Sequence, residues 1–317
     1  MKQKGRHTSQ MFINLIPLMG LIAIAGCTQK DTTRAMQSTD RGAKPIVVVS
    51  ILPQAFFVNQ IGADTVETMV LVGPGKDPHT YEPTPKQMQD LSRASAWILS
   101  NTDFELSLRP KIASLYPSLL MVDGTEGVQF RMMEAHHHEG EDAEDTHTEG
   151  TEAAAMVLDR HTWLGRDNAK ILAAHVRDTL KKLLPQQAPF YDANYTKLVA
   201  EIDQVFNQLD QDLAGLRGTK VFVFHPSFGY FFDEFGIQQE AIETGGKEPN
   251  AQTLAAIMEE ARKDKVKVIF VQAQFPTTAA KTIAKSLGAQ VAALDPLAAD
   301  WMGNIKLMGD ALRRAAK

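Results

Sequence analysis

Nine histidines and one cysteine are the side chains best suited to bind a metal in this chain of 317 residues, and their settings separate them. His79 stands in "GPGKDPHTYEP", among Pro74, Pro78, Pro83 and Pro85. Each proline fixes its own φ and restricts the residue before it, so the imidazole sits on a stiff loop with little freedom to lose on ordering. His225 follows "VFVF" directly, His161 stands in "LDRHTWLG" between an apolar run and a helix start, and Asp295 ends the run "QVAAL". Taken singly, each histidine would also suit a turn or a satisfied core. Three neutral imidazoles and one carboxylate together suit a divalent transition metal, with Zn²⁺ taking nitrogen at about 2.0–2.1 Å and an oxygen closing a tetrahedron. His175 shares a helical stripe with Leu172, Thr179 and Leu183 and reads as an ordinary helix residue.

These candidates need elements to bring them together. From Pro45 the chain alternates short Val/Ile/Leu-rich runs ("PIVVVSIL", "TVETMVLV", "AWILS", "SLLMV") with helical stretches ("PKQMQDLSRAS", "FELSLRPKIASL"), which predicts an α/β fold with a mainly parallel sheet. "NAKILAAHVRDTLKKLL" reads as one helix. Tyr191, Tyr195, Leu198, Ile202, Val205, Leu209, Leu213 and Leu216 then mark a longer one, a rod of about 38 Å. After Gly218 the alternation resumes with "TKVFVF", "AQTLAAIMEEARKD", "VKVIFVQ", "TTAAKTIAKSLG" and "QVAAL". The expected architecture is two similar α/β lobes, 45–188 and 217–317, each with its own core, joined by one long rigid helix at 189–216. Ligands of open α/β sheets bind beyond the carboxyl ends of the strands, so two candidates from each lobe are expected to meet in the inter-lobe cleft.

Residues 1–26 carry Lys2, Lys4 and Arg6, an apolar run from Met11 to Ala25 and small residues before Cys27, the layout of an export signal. Residues 27–44 read as a flexible tether. With the signal removed, 30 Lys+Arg stand against 38 Asp+Glu, a net charge of −8 that argues against nucleic acid as a partner. A single cysteine excludes an intramolecular disulfide. Between Arg131 and Met156 lies an insert with four histidines, His136, His137, His138 and His147, eight acids and almost nothing to bury, expected to be disordered and to collect metal weakly.

The segments "GPGKDPHTYEP", "DRHTWLG", "HPSFGYFFDEFG" and "QFPTTAAKTIAKSLGAQVAALDPL", in this order behind a lipobox-like Cys27, resemble the solute-binding lipoproteins of zinc and manganese ABC importers. The resemblance implies two α/β lobes joined by a long helix, His79, His161 and His225 as histidine ligands, Asp295 as the carboxylate, and Cys27 as the lipidated residue. It implies Zn²⁺ ahead of Mn²⁺, since His225 stands where manganese members usually carry a carboxylate. It also implies a membrane permease with its ATPase as partner, a monomer, and an exported protein anchored to a membrane and facing the periplasm or cell surface. Glu82 is a candidate to orient an imidazole. Two positions depart from the pattern: Arg160 with Gly165-Arg166 around the second ligand, and Gln272 where zinc members often have an acid. Alternatives are a manganese or iron member, a metal-binding adhesin and, in another class, a secreted zinc hydrolase. No H-E-x-x-H helix or nucleophile motif favours the enzyme.

Overall fold

Val47, Val48, Val49 and Ile51 are fully buried, as residues of a strand covered on both faces must be. They belong to β1 (Ile46–Ile51), an inner strand of a parallel sheet ordered β2-β1-β3-β4, with β2 at Glu67–Val72, β3 at Ala96–Leu99 and β4 at Leu120–Asp123. Val48 lies opposite Met69 on one side and Trp97 on the other. The structure, a computed structural model, describes residues 43–133, 158–243 and 247–315. The expected signal segment with Cys27, most of the tether, and His136, His137, His138 and His147 of the insert lie outside the described residues.

The crossovers of the first sheet are α1 (Leu52–Gly62), α2 (Pro85–Leu91) and α3 (Asp103–Leu115). In α2, Pro85 follows the N-cap Thr84, whose hydroxyl accepts from Gln87 N while Gln87 Oε1 accepts from Thr84 N. The sequence reading passed over α1, which is apolar on nearly every side because the sheet and two other helices cover it. Its entry is fixed by Pro53 and by buried Gln54, whose Oε1 accepts from Ser50 N and Ile51 N and whose Nε2 donates to Ile98 O.

Two helices follow: α4 (Arg166–Leu183) and α5 (Ala188–Asp212), 25 residues long and closed by a short 3₁₀ turn at Ala214–Leu216. The predicted stripe of α5 is buried at Tyr191, Leu198, Ile202, Val205 and Leu209. The second sheet repeats the order of the first as β6-β5-β7-β8, all parallel, with β5 at Lys220–Val223, β6 at Gln238–Ala241, β7 at Val268–Val271 and β8 at Gln290–Ala293. Its helices are α6 (Gly229–Glu234), α7 (Ala251–Lys263) and α8 (Thr278–Leu287), and α9 (Trp301–Ala315) ends the described chain. β6 escaped the sequence reading because it is polar; one of its glutamines, Gln239, is buried and accepts from Phe228 N.

The expectation of one core per lobe is corrected by the packing. A large core runs from β1 and α1 through α4 and α5 to Phe228, Phe231, Phe232 and Trp301, while a smaller one joins Phe222 and Ile269 of the second sheet to Ile257 and Ile283 of the helices over it. The cause is α9, which turns back from β8 toward the first sheet. Trp301 packs at 5.0 Å from Phe57 and 6.4 Å from Phe206 between ring centroids, and its indole donates to Trp163 O. The described residues accordingly form one compact unit. Among the described residues no helix is long and apolar enough to cross a membrane.

Candidate metal centre

Each of the three histidines is set by its own local device. His79 lies on the loop after β2; Asp77 Oδ1 accepts from its backbone N–H, and Tyr81 Oη donates to Leu71 O at the strand end, so hydrogen bonds as well as prolines stiffen the loop. His161 follows Asp159, whose Oδ1 accepts from both the backbone N–H and Nδ1 of the histidine. His225 comes just after β5, with its backbone N–H donating to Gln272 Oε1 and its ring stacked on Phe275 at 4.4 Å. Gln272, a departure from the expected pattern, is fully buried and holds this segment through a second bond from Nε2 to Ser227 Oγ.

The three rings meet. His225 Nε2 is 3.1 Å from His79 Nε2 and 3.4 Å from His161 Nε2, and one ligand atom of each histidine lies within 4.8 Å of the others. Nitrogens at 2.0–2.1 Å from a tetrahedral zinc stand about 3.4 Å apart, so the spacing is that of a shell around one ion. Every Nδ1 points away onto a carboxylate: His79 to Asp103 Oδ2 at 2.6 Å, His161 to Asp159 Oδ1 at 2.8 Å, His225 to Glu243 Oε1 at 2.9 Å. A carboxylate at Nδ1 keeps the proton there and leaves the Nε2 lone pair for a metal. The cavity between the rings has a volume of about 20 Å³, room for one ion or water.

The electrostatics follow from the same contacts. Burial works to lower the His79 pKa, but the hydrogen bond to Asp103 and the charges of Asp77, Asp103 and Glu243 together raise it above the ordinary histidine value. Burial takes His225 down to about 4 against the pull of Glu243. Asp103 is held low by its hydrogen bond to His79, and Asp159, despite the opposing effect of burial, by its bonds to His161 and Arg131. Arg160, the other departure, donates to Asn101 O and stands 3.7 Å from Asp103 Oδ1, beside the pair that orients His79.

Of the four expected ligands the structure brings together His79, His161 and His225 but not Asp295. Asp295 is exposed and its Oδ1 accepts from Leu297 N at 2.9 Å, although its neighbours Pro296 and Leu297 line the cavity. The Glu82 expectation is corrected: the carboxylate on His79 is Asp103, while Glu82 is exposed. Asp103 is 24 residues away in sequence and reaches His79 because β3 delivers the first residue of α3 to the end of the sheet where the β2 loop also lies. Asp103 and Glu243 were missed for this reason, and the signal that finds them is an acid just past a strand. Asp159 was within sight, two residues before His161. His175 lies on α4 away from the group, its Nε2 at 2.8 Å from Glu126 O.

Comparison with known proteins finds zinc-binding relatives. The zinc-binding lipoprotein AdcA of Streptococcus pneumoniae strain R6 is 24% identical over 253 residues, 79% of this chain; the chain spans 50% of AdcA, about half the length of such curated relatives. The high-affinity zinc uptake system protein ZnuA of Yersinia pestis is 28% identical over 272 residues, covering 80% of this chain and 84% of that one. A crystal structure of ZnuA superposes with a TM-score of 0.77 at 33% identity, covering 86% of this chain and all of the other, and a zinc-bound deletion mutant of ZnuA gives 0.76. A laminin-binding adhesin of Streptococcus agalactiae, at 20% identity and a TM-score of 0.72, shares the fold. The family described as ZnuA, zinc-uptake complex component A, periplasmic, matches residues 47–315, and this chain belongs to it.

Proposed function

We propose that this chain captures Zn²⁺ outside the cytoplasm and hands it to an ABC-type membrane permease driven by its ATPase. The observation that carries the reading is the convergence of His79, His161 and His225 Nε2, each ring fixed by a carboxylate on Nδ1. A set of three nitrogens favours zinc well above manganese in the divalent order, whereas a carboxylate-rich set would narrow the gap. Solvent takes the fourth position, and Asp295 serves at the rim. Two lobes joined by α5 supply the ligands, with modest rearrangement of loops freeing the ion at the transporter. Export by residues 1–26 and lipidation of Cys27 complete the reading, supported by Ala25-Gly26 before the cysteine and by the relative named as a lipoprotein. Metal analysis of protein purified without chelator, followed by competition titration, tests it: one tight zinc equivalent that micromolar manganese does not displace is expected, and equal displacement by manganese would defeat it.

A further inference from the structure

We infer that Arg131 is a positioning residue for the metal site: its guanidinium fixes the carboxylate that orients His161 and ties it to the helix that follows His225, and so sets metal affinity without touching the ion. The inference rests on the zinc-binding reading above.

Asp159 is fully buried and both its oxygens are committed. Oδ1 serves His161, and Oδ2 accepts from Arg131 Nη1 at 3.0 Å. The Nε side of the same guanidinium lies 2.9 Å from Asp233 Oδ2 on α6. Backbone contacts hold the arrangement: Asp159 N donates to Arg131 O, Tyr230 Oη accepts from Arg131 N and donates to Asp159 O, and Met132 pairs with Leu158 in an antiparallel bridge. Gly229 opens α6 four residues after His225. A Cβ there would come within 1.5 Å of Arg131 Nη1 and 2.9 Å of Asp159 Oδ2, so the missing side chain is what lets the guanidinium lie across the start of the helix.

A guanidinium presents its donors as one rigid planar fork, so a hydrogen bond to Asp159 and an ion pair to Asp233 are made by a single fixed group, which an ammonium cannot reproduce. Here the fork joins the support of His161, from the first lobe, to α6 behind His225, from the second, and these two Nε2 atoms are 3.4 Å apart. Without it Asp159 keeps His161 on one oxygen but loses the anchor that stops the carboxylate rotating. Partners of metal ligands act in this way, and losing one costs about tenfold to a hundredfold in metal affinity.

The test is zinc competition titration on the full chain, with the Co²⁺ absorption spectrum recording ligand geometry, for wild type, R131M, R131K, G229A, D159N and R131M/D159N. R131M is expected to weaken zinc by up to about tenfold, less than D159N because Arg131 stands one bond further from the ligand, and to shift the Co²⁺ bands, with R131K recovering part of the loss. G229A, which displaces the guanidinium without removing it, is expected to weaken zinc as well. Adding R131M to D159N should cost nothing further, because Arg131 acts through Asp159. Wild-type affinity and an unshifted spectrum in R131M, or fully additive losses in the double variant, would overturn the inference; should R131M fail to fold, wild-type affinity in G229A would do so. A wild-type chain that binds no zinc overturns the site reading itself, a result distinct from either.

Discussion

Imidazole lone pairs only 3.1 and 3.4 Å apart repel one another, and a cation among the three nitrogens relieves that repulsion around His225. Alanine at His79, His161 or His225 is therefore expected to weaken zinc by about a hundredfold or more in competition titration. His175→Ala should leave affinity unchanged, and Asp295→Ala should cost less than about tenfold because the carboxylate stands at the rim and not among the ligands. The raised pKa of His79 makes it the first of the pair His79 and His225 to protonate as pH falls, while His225 stays neutral down to about 4. Since the proton and the metal compete for one lone pair, zinc affinity should fall by about tenfold per pH unit below the His79 pKa. Titrations between pH 8 and pH 5.5 check this, and a flat profile would contradict a histidine site. The three histidines were legible in the sequence: His79 by its proline-bound loop, His225 directly after a predicted strand, and His161 between an apolar run and a predicted helix. Their carboxylate partners Asp103 and Glu243 were not, since long-range pairing leaves no local spacing to read.

Secondary structure carries these side chains, and two elements, α3 and α9, hold them through single buried residues. Glu105 sits in the first turn of α3, fully buried, accepting from Ser100 N and Thr102 N and so holding the turn that presents Asp103. Burial pushes its pKa from 4.5 up to about 7. Below 4.5 the carboxyl is neutral folded and unfolded; between 4.5 and 7 the unfolded chain alone ionises, and stability is lost as pH rises. Relative to Glu105→Gln, the wild type should thus lose up to about 3 kcal/mol across this window in urea melts at stepped pH. Trp301 on α9 bridges α1 and α5, and Trp301→Ala is expected to cost about 3–5 kcal/mol by the same melts. Strands with unbroken Val/Ile/Leu runs, and α5 with its single stripe, could be read directly. α1 and β6 could not: α1 is apolar nearly all round, and β6 hides a buried glutamine whose partner, Phe228 N, lies outside the sheet at the start of α6.

For the whole molecule, two mainly parallel sheets follow from alternating patterns visible along the chain, but the strand orders β2-β1-β3-β4 and β6-β5-β7-β8 and the shared core do not, because nothing local announces which strands pair or that α9 returns to α1 and α5. A core common to both sheets predicts a single cooperative unfolding transition rather than one per lobe. It also predicts that zinc stabilises the whole unit, by about 2.7 kcal/mol at a free concentration a hundred times its dissociation constant. Calorimetry with and without zinc reads both, and two separated transitions would contradict the shared core. The central claim is the ion's position, and the most direct measurement is a crystal structure of the zinc-loaded protein with anomalous data collected at the zinc edge. One strong peak is expected about 2.0–2.1 Å from Nε2 of His79, His161 and His225, with Asp103, Asp159 and Glu243 still on the three Nδ1 atoms. A peak on any other set of side chains, or on the Nδ1 atoms, would contradict it.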